Sequence, residues 1–229
     1  MYINPRRSFL YRLTAVAALL ARPGNALADP VASDDARLDT GYRDYGALRG
    51  YVARPKNAAE KLPAVLVLHE QRGLNAHTEE VGRRTALGGF TAVVPADATM
   101  ERLIILVNEL ASTAKVGYIG FGDMASQLAT RSDKFAAAAI FYGEVPDVLD
   151  VPRIKARLLL HYAERDPRIN TAVPAYEGAL KAAGVQHAIH IYPGTERGFD
   201  DHTAGARYNK EAAELAWDRT MTFLKDALR

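Results

Sequence analysis

Residues 115–127, K-V-G-Y-I-G-F-G-D-M-A-S-Q, come closest in type and spacing to a catalytic device. The β-branched and aromatic run Val116–Phe121 meets Gly122 and then an apolar-periodic segment, which predicts a strand turning sharply into a helix. Such a corner serves acyl transfer. A Ser or Cys at the turn is held above the sheet, and the next backbone N–H helps to bind the oxyanion. Here the turn is Gly122, which has no atom with which to attack.

Other polar groups gather where open sheets place their ligands. The apolar run 64–68 ends in His69-Glu70-Gln71-Arg72-Gly73, at a strand's carboxyl end. Three side chains could stand in for a missing nucleophile or base. Asp123 is a carboxylate, but at a helix N-terminus it is expected to serve the dipole. Ser126 lies a turn into the helix, where a packed hydroxyl is the expectation. His202 follows Asp200 and Asp201 in a polar loop and could swing in as a base. His69 and His161 sit near strand ends as core histidines, His187 and His190 point to opposite faces of one strand, and His77 begins a helix. No H-E-x-x-H and no other metal-ligand spacing is present, so no metal and no cofactor is expected.

The elements needed to hold these groups are legible as alternating strands and helices. Strands are expected at 48–55 (an edge strand), 64–68, 90–95, 116–121, 136–142, 157–162 and 186–192. Helices are expected at 78–87, 100–112, 123–132, 172–183 and 209–228. Strands that alternate with helices imply an α/β fold, a mostly parallel doubly wound sheet with helices on both faces. At 229 residues and 48% hydrophobic, the chain can bury one sizeable core. Residues 47–229 read as a single domain and residues 29–46, polar and Asp-rich, as an extended leader.

Residues 1–28 read as a signal peptide. Arg6-Arg7-Ser8-Phe9-Leu10 is a twin-arginine pattern, a short apolar run follows, and Ala26-Leu27-Ala28 is an A-x-A cleavage site. Export to the periplasm or beyond by the twin-arginine route is therefore expected, with no membrane attachment after cleavage. Removing residues 1–28 takes away four arginines and no acid, leaving 25 basic against 27 acidic side chains. The basic character thus belongs to the targeting segment, and nothing suggests a nucleic-acid partner. The chain has no cysteine, which excludes disulfides and a thiolate nucleophile.

From about Leu48 to the C-terminus the chain resembles the dienelactone hydrolase family. The likeness is carried by His69-Glu70-Gln71-Arg72-Gly73-Leu74-Asn75, Lys115-Val116-Gly117, residues 158–166 (L-L-L-H-Y-A-E-R-D), residues 192–199 (Y-P-G-T-E-R-G-F) and residues 215–220 (L-A-W-D-R-T). The resemblance implies an α/β-hydrolase fold that opens lactones or small carboxylic esters with a Cys or Ser, a His and an Asp, aided by a Glu. Carried over, Glu70 is the family glutamate, Asp166 the acid that orients the histidine, and Arg72 lies in the loop that lines the pocket. The nucleophile position falls on Gly122 and the histidine position on Arg197, and the segment between Pro95 and Lys115 is short.

A guanidinium stays protonated and cannot accept the proton of an attacking group. Arg197 is instead expected to pair with Glu70 or Asp166. The expectation is thus a family hydrolase impaired by the loss of nucleophile and base. The alternative is a catalytically silent pocket that binds a small carboxylate or a protein partner. A decayed version that folds poorly is the third reading.

Overall fold

The computed structural model describes residues 30–46, 48–58, 61–69, 73–97 and 99–229. The expected signal peptide lies outside them, as do Glu70 and Arg72.

Eight strands form one sheet: β1 Leu38–Tyr45, β2 Leu48–Pro55, β3 Ala64–Leu68, β4 Thr91–Pro95, β5 Val116–Phe121, β6 Phe135–Phe141, β7 Arg157–Ala163 and β8 His187–Tyr192. Their spatial order is β1-β2-β4-β3-β5-β6-β7-β8. The two β1–β2 and β2–β4 pairings are antiparallel and the rest are parallel. Among the described residues the α-helices are α1 Ala76–Leu87, α2 Met100–Ala111, α3 Asp123–Arg131, α4 Pro167–Asn170, α5 Val173–Ala182 and α6 Lys210–Leu228.

The continuous apolar strands are covered on both faces, as their composition requires. Along β3 the side chains alternate between two cores. Leu66 and Leu68 pack with Leu103, Leu128 and Leu180 of α2, α3 and α5. Val65 and Val67 pack with Val81 of α1 and with Trp217 and Met221 of α6. The four β3 residues from Val65 to Leu68 are fully buried, each worth roughly 1.5–3 kcal/mol of transfer free energy. Asn75 caps α1: its side chain accepts from the N–H groups of His77 and Thr78, and the Thr78 hydroxyl returns a bond to the Asn75 backbone.

The order reverses between β3 and β5, since the chain builds outward to β4 on one side and to β6, β7 and β8 on the other. At such a switch point the strands' carboxyl ends leave a crevice for ligand. The corner after β5 therefore stands at the crevice, and α2 supplies the crossover across the short segment.

Two expectations change. The expected extended leader contains a strand of the sheet, because Leu38–Tyr45 pairs along its whole length with β2. Ahead of it, the Val31 N–H donates to Glu80 Oε1 at 3.2 Å and the Val31 carbonyl accepts from Arg83 Nε at 2.8 Å. Leu48–Pro55 is consequently the second strand, not the edge. The charged strand L-D-T-G-Y-R-D-Y hides its strand character because an edge strand keeps polar side chains on its open side.

Candidate functional site

The corner after β5 keeps the backbone of a nucleophile elbow. Gly122 lies at φ 74°, ψ −161°, a left-handed conformation that side chains rarely adopt, and its N–H donates to the Phe141 carbonyl at 2.8 Å. A Cβ on Gly120 would stand 2.4 Å from the Ala125 Cβ, so α3 presses against the strand as closely as such a turn demands. On the same face the buried Tyr118 hydroxyl donates to the Ala125 carbonyl at 2.7 Å. The corner has the backbone of such an elbow, and Gly122 places no side-chain atom on it.

Both polar neighbours have contacts of their own. Asp123 Oδ1 accepts the Glu144 N–H at 3.2 Å, which ties the start of α3 to the loop after β6. Ser126 is buried at 2% exposure, and its Oγ occupies the space 2.1 Å from where a Gly143 Cβ would be. Its hydroxyl packs and does not face a ligand.

The other side of the crevice is organised by Tyr142, which directly follows β6 at φ 56°. A non-glycine residue held there stores strain that its surroundings must outweigh. Four hydrogen bonds do so. Its N–H donates to the His161 carbonyl at 2.9 Å, and its carbonyl accepts from Arg197 Nη1 at 2.9 Å. Its hydroxyl donates to Asp200 Oδ1 at 2.7 Å and accepts the Asp200 N–H at 3.3 Å. The Asp200 side chain is only 13% exposed, and this burial raises its pKa against the opposing charge of His77 and the Tyr142 bond.

Arg197 thus donates to a backbone carbonyl, with its guanidinium 6.0 Å from the Tyr142 ring centre. It lines an open recess together with Asp166. The Asp166 carbonyl accepts the N–H groups of Ile169 and Asn170 and starts α4. Beside them, Arg168 forms an ion pair with Glu144.

His77 is the group that sequence reasoning passed over. It lines a cavity of about 340 Å³ with Phe121, Tyr142, Arg197, Asp201 and Arg207. Its Nδ1 lies 3.4 Å from Asp201 Oδ1 and its Nε2 lies 3.9 Å from Asp200 Oδ2. The Nδ1 atom is buried and makes no hydrogen bond among the described residues. Asp201 Oδ1 is held by the Thr203 N–H at 2.8 Å and the Thr203 hydroxyl at 2.6 Å. Burial alone would raise the pKa of Asp201, but the Thr203 bonds and the charge of His77 outweigh it and leave the carboxyl below its ordinary value. The only trace of this wall in the sequence is N-A-H-T, a helix cap with an imidazole on the first turn.

His202 is exposed, and its ring stands 5.9 Å from that of His77. One ligand-type atom each from His77, Glu80 and His202 falls within 4.8 Å of the others. Sequence spacing missed this group because its third member comes from a distant loop. It is nevertheless a poor metal cage. Glu80, itself buried, already takes Arg84 at 2.9 and 2.7 Å and the Val31 N–H, so a cation would have to displace a half-buried guanidinium. His161, in contrast, is a core histidine as expected, with both ring nitrogens bonded.

A crevice at the switch point of a mostly parallel sheet, beside a left-handed strand-to-helix corner, defines an α/β-hydrolase. The fold is shared with the dienelactone hydrolase-like promiscuous phosphotriesterase from metagenomic libraries, at a TM-score of 0.76 and 20% identity, covering 84% of this chain and 100% of that one.

The model of the dienelactone hydrolase family matches residues 48–98 and 96–228, and the chain belongs to that family. The two matched stretches meet in the short segment before α2. A protein of Saccharolobus solfataricus named "Putative carboxymethylenebutenolidase" is 28% identical over 249 residues, covering 80% of this chain and 95% of that protein. "Putative hydrolase fragment YghX" of Escherichia coli (strain K12) is 40% identical over 90 residues, covering 36% of this chain and 77% of that protein. The chain is thus a hydrolase by family.

Proposed function

We propose that the protein takes lactones or small carboxylic esters, or the carboxylates they yield, into the crevice beside the β5 corner. Its turnover by the family's covalent route is strongly impaired. One observation carries this reading: Gly122 holds the strained elbow conformation with no nucleophilic atom. Support comes from Arg197 at the histidine position, bonded to the Tyr142 carbonyl and unable to accept a proton. Loss of a triad member leaves about 10³–10⁴-fold over water, from positioning and oxyanion binding. Two arginines, Arg197 and Arg207, line the cavity and suit a carboxylate-bearing ligand. Export by the twin-arginine route, from Arg6-Arg7 and the A-x-A site, belongs to the same proposal.

Titration calorimetry with butyrate and turnover of p-nitrophenyl acetate and dienelactone test it on the purified protein. We expect saturable butyrate binding with slow hydrolysis and no initial burst. A burst with an acyl adduct trapped on a side chain near position 122 would overturn the impaired reading. Absence of butyrate binding would remove the pocket reading as well.

A further inference from the structure

We infer that the His77–Asp201 pair is a water-activating base in the cavity, replacing the lost covalent route with direct hydrolysis. This inference rests on the proposed ester- or lactone-binding role of the same crevice.

The pair has the parts that proton transfer needs. His77 Nδ1 is buried 3.4 Å from Asp201 Oδ1, and Asp201 is itself fixed by two bonds from Thr203. A carboxylate so held can orient an imidazole and stabilise the imidazolium when it forms. Nε2 is then the atom left to address the cavity, with Asp200 Oδ2 at 3.9 Å as its nearest carboxyl oxygen. The His77 ring lies 5.9 Å from that of Phe121, the residue before Gly122, so the base stands beside the corner where the family's chemistry occurs.

The hydrogen-bonding capacity of the ring at Nδ1 is not used within the described residues. Its backbone N–H joins the Asn75 cap, while its buried Nδ1 makes no hydrogen bond among the described residues. A buried polar atom left so is costly unless it is used. Other charged groups around it, Glu80 and Arg84 on α1, are engaged with each other.

The step balances without a further reactant. His77 Nε2 takes a proton from water as the water oxygen bonds to the carbonyl carbon. The tetrahedral intermediate then collapses, the carbon–oxygen bond to the leaving group breaks, and the imidazolium returns the proton to that oxygen. The products are a carboxylic acid and an alcohol, or one hydroxy acid from a lactone. No acyl-enzyme forms.

The test uses p-nitrophenyl acetate turnover, butyrate binding and thermal melts of the wild-type protein, His77→Ala and Asp201→Asn. His77→Ala is expected to lower kcat by about 10²–10⁴-fold, the usual share of a general base. Butyrate binding and the melting midpoint should stay close to wild type. Added imidazole should restore turnover in His77→Ala in proportion to its concentration, which a structural role would not produce. Asp201→Asn should reduce kcat by less, with KM little changed.

If wild type binds butyrate and either shows no turnover or loses none in His77→Ala, the inference fails while the pocket reading stands. Turnover abolished by EDTA and restored by zinc would also overturn it, in favour of a metal at His77 and His202. If His77→Ala does not melt cooperatively, the Asp201→Asn result and the wild-type burst decide: an unaffected kcat in Asp201→Asn, or a burst, rejects the pair. Loss of butyrate binding in wild type would instead reject the pocket reading.

Discussion

Two histidines, both sheltered at the carboxyl ends of the sheet, have opposite surroundings. His161 on β7 is fully buried between Tyr192 and Thr220. The Thr220 hydroxyl gives its single proton to the Ala216 carbonyl at 2.9 Å, so at 3.0 Å it must accept from His161 Nε2–H. Nδ1 then accepts the Tyr192 hydroxyl proton at 2.8 Å. Every polar atom is matched, and the ring stacks on Phe141 at 4.3 Å. His77 has two carboxyls near it, a cavity in front of it, and a buried nitrogen with no hydrogen bond among the described residues. A histidine with complete bonding holds a fold together, and one left incomplete beside a cavity is available for chemistry.

The comparison can be broken most severely at His161. His161→Ala opens a core cavity and takes the acceptor away from the Tyr192 hydroxyl proton, so it should cost roughly 3–5 kcal/mol in urea unfolding. A loss as small as that expected at His77 would remove the contrast. Thr220→Val is milder: it leaves the His161 Nε2–H without an acceptor and should cost about 1–3 kcal/mol by the same measurement.

The pH dependence of stability gives the sharpest form of the contrast, because the two regions carry opposite signs. Burial, followed by the charges of His190 and Arg219, depresses the pKa of His161. Its contribution is therefore present above the unfolded histidine value of about 6.5 and is lost as pH falls. Asp200 is raised instead, so its contribution is present below the unfolded value of about 3.9 and is lost as pH rises through its higher folded value. Asp200→Asn keeps an oxygen to accept from Tyr142 and removes the buried charge. It should raise the melting midpoint slightly, the smallest of these effects, and only above about pH 4. A midpoint that falls at neutral pH would show that the charge of Asp200 stabilises His77 and the wall as a unit.

Much of the scaffold was readable before any coordinates. Apolar runs of strand length separated by helical periods are enough to imply covered parallel strands, because burial on both faces demands continuous apolar character. The first strand was not readable, since an edge strand stays polar where it meets water. Of the site, Gly122 and Arg197 are informative as residue types alone: a glycine cannot attack and a guanidinium cannot take a proton. Those two exclusions follow from side-chain chemistry and need no fold.

What tertiary structure alone decided is which groups meet. Asn75 to Thr78 and Asp200 to Thr203 lie more than a hundred residues apart, and no local pattern couples them. Only when α1 packs against the sheet beside the loop after β8 does an ordinary first-turn histidine come within 3.4 Å of a pinned carboxylate. Side-chain identity is local information, whereas proximity across a sheet arises from the packing of whole elements, and a binding crevice is made of proximity.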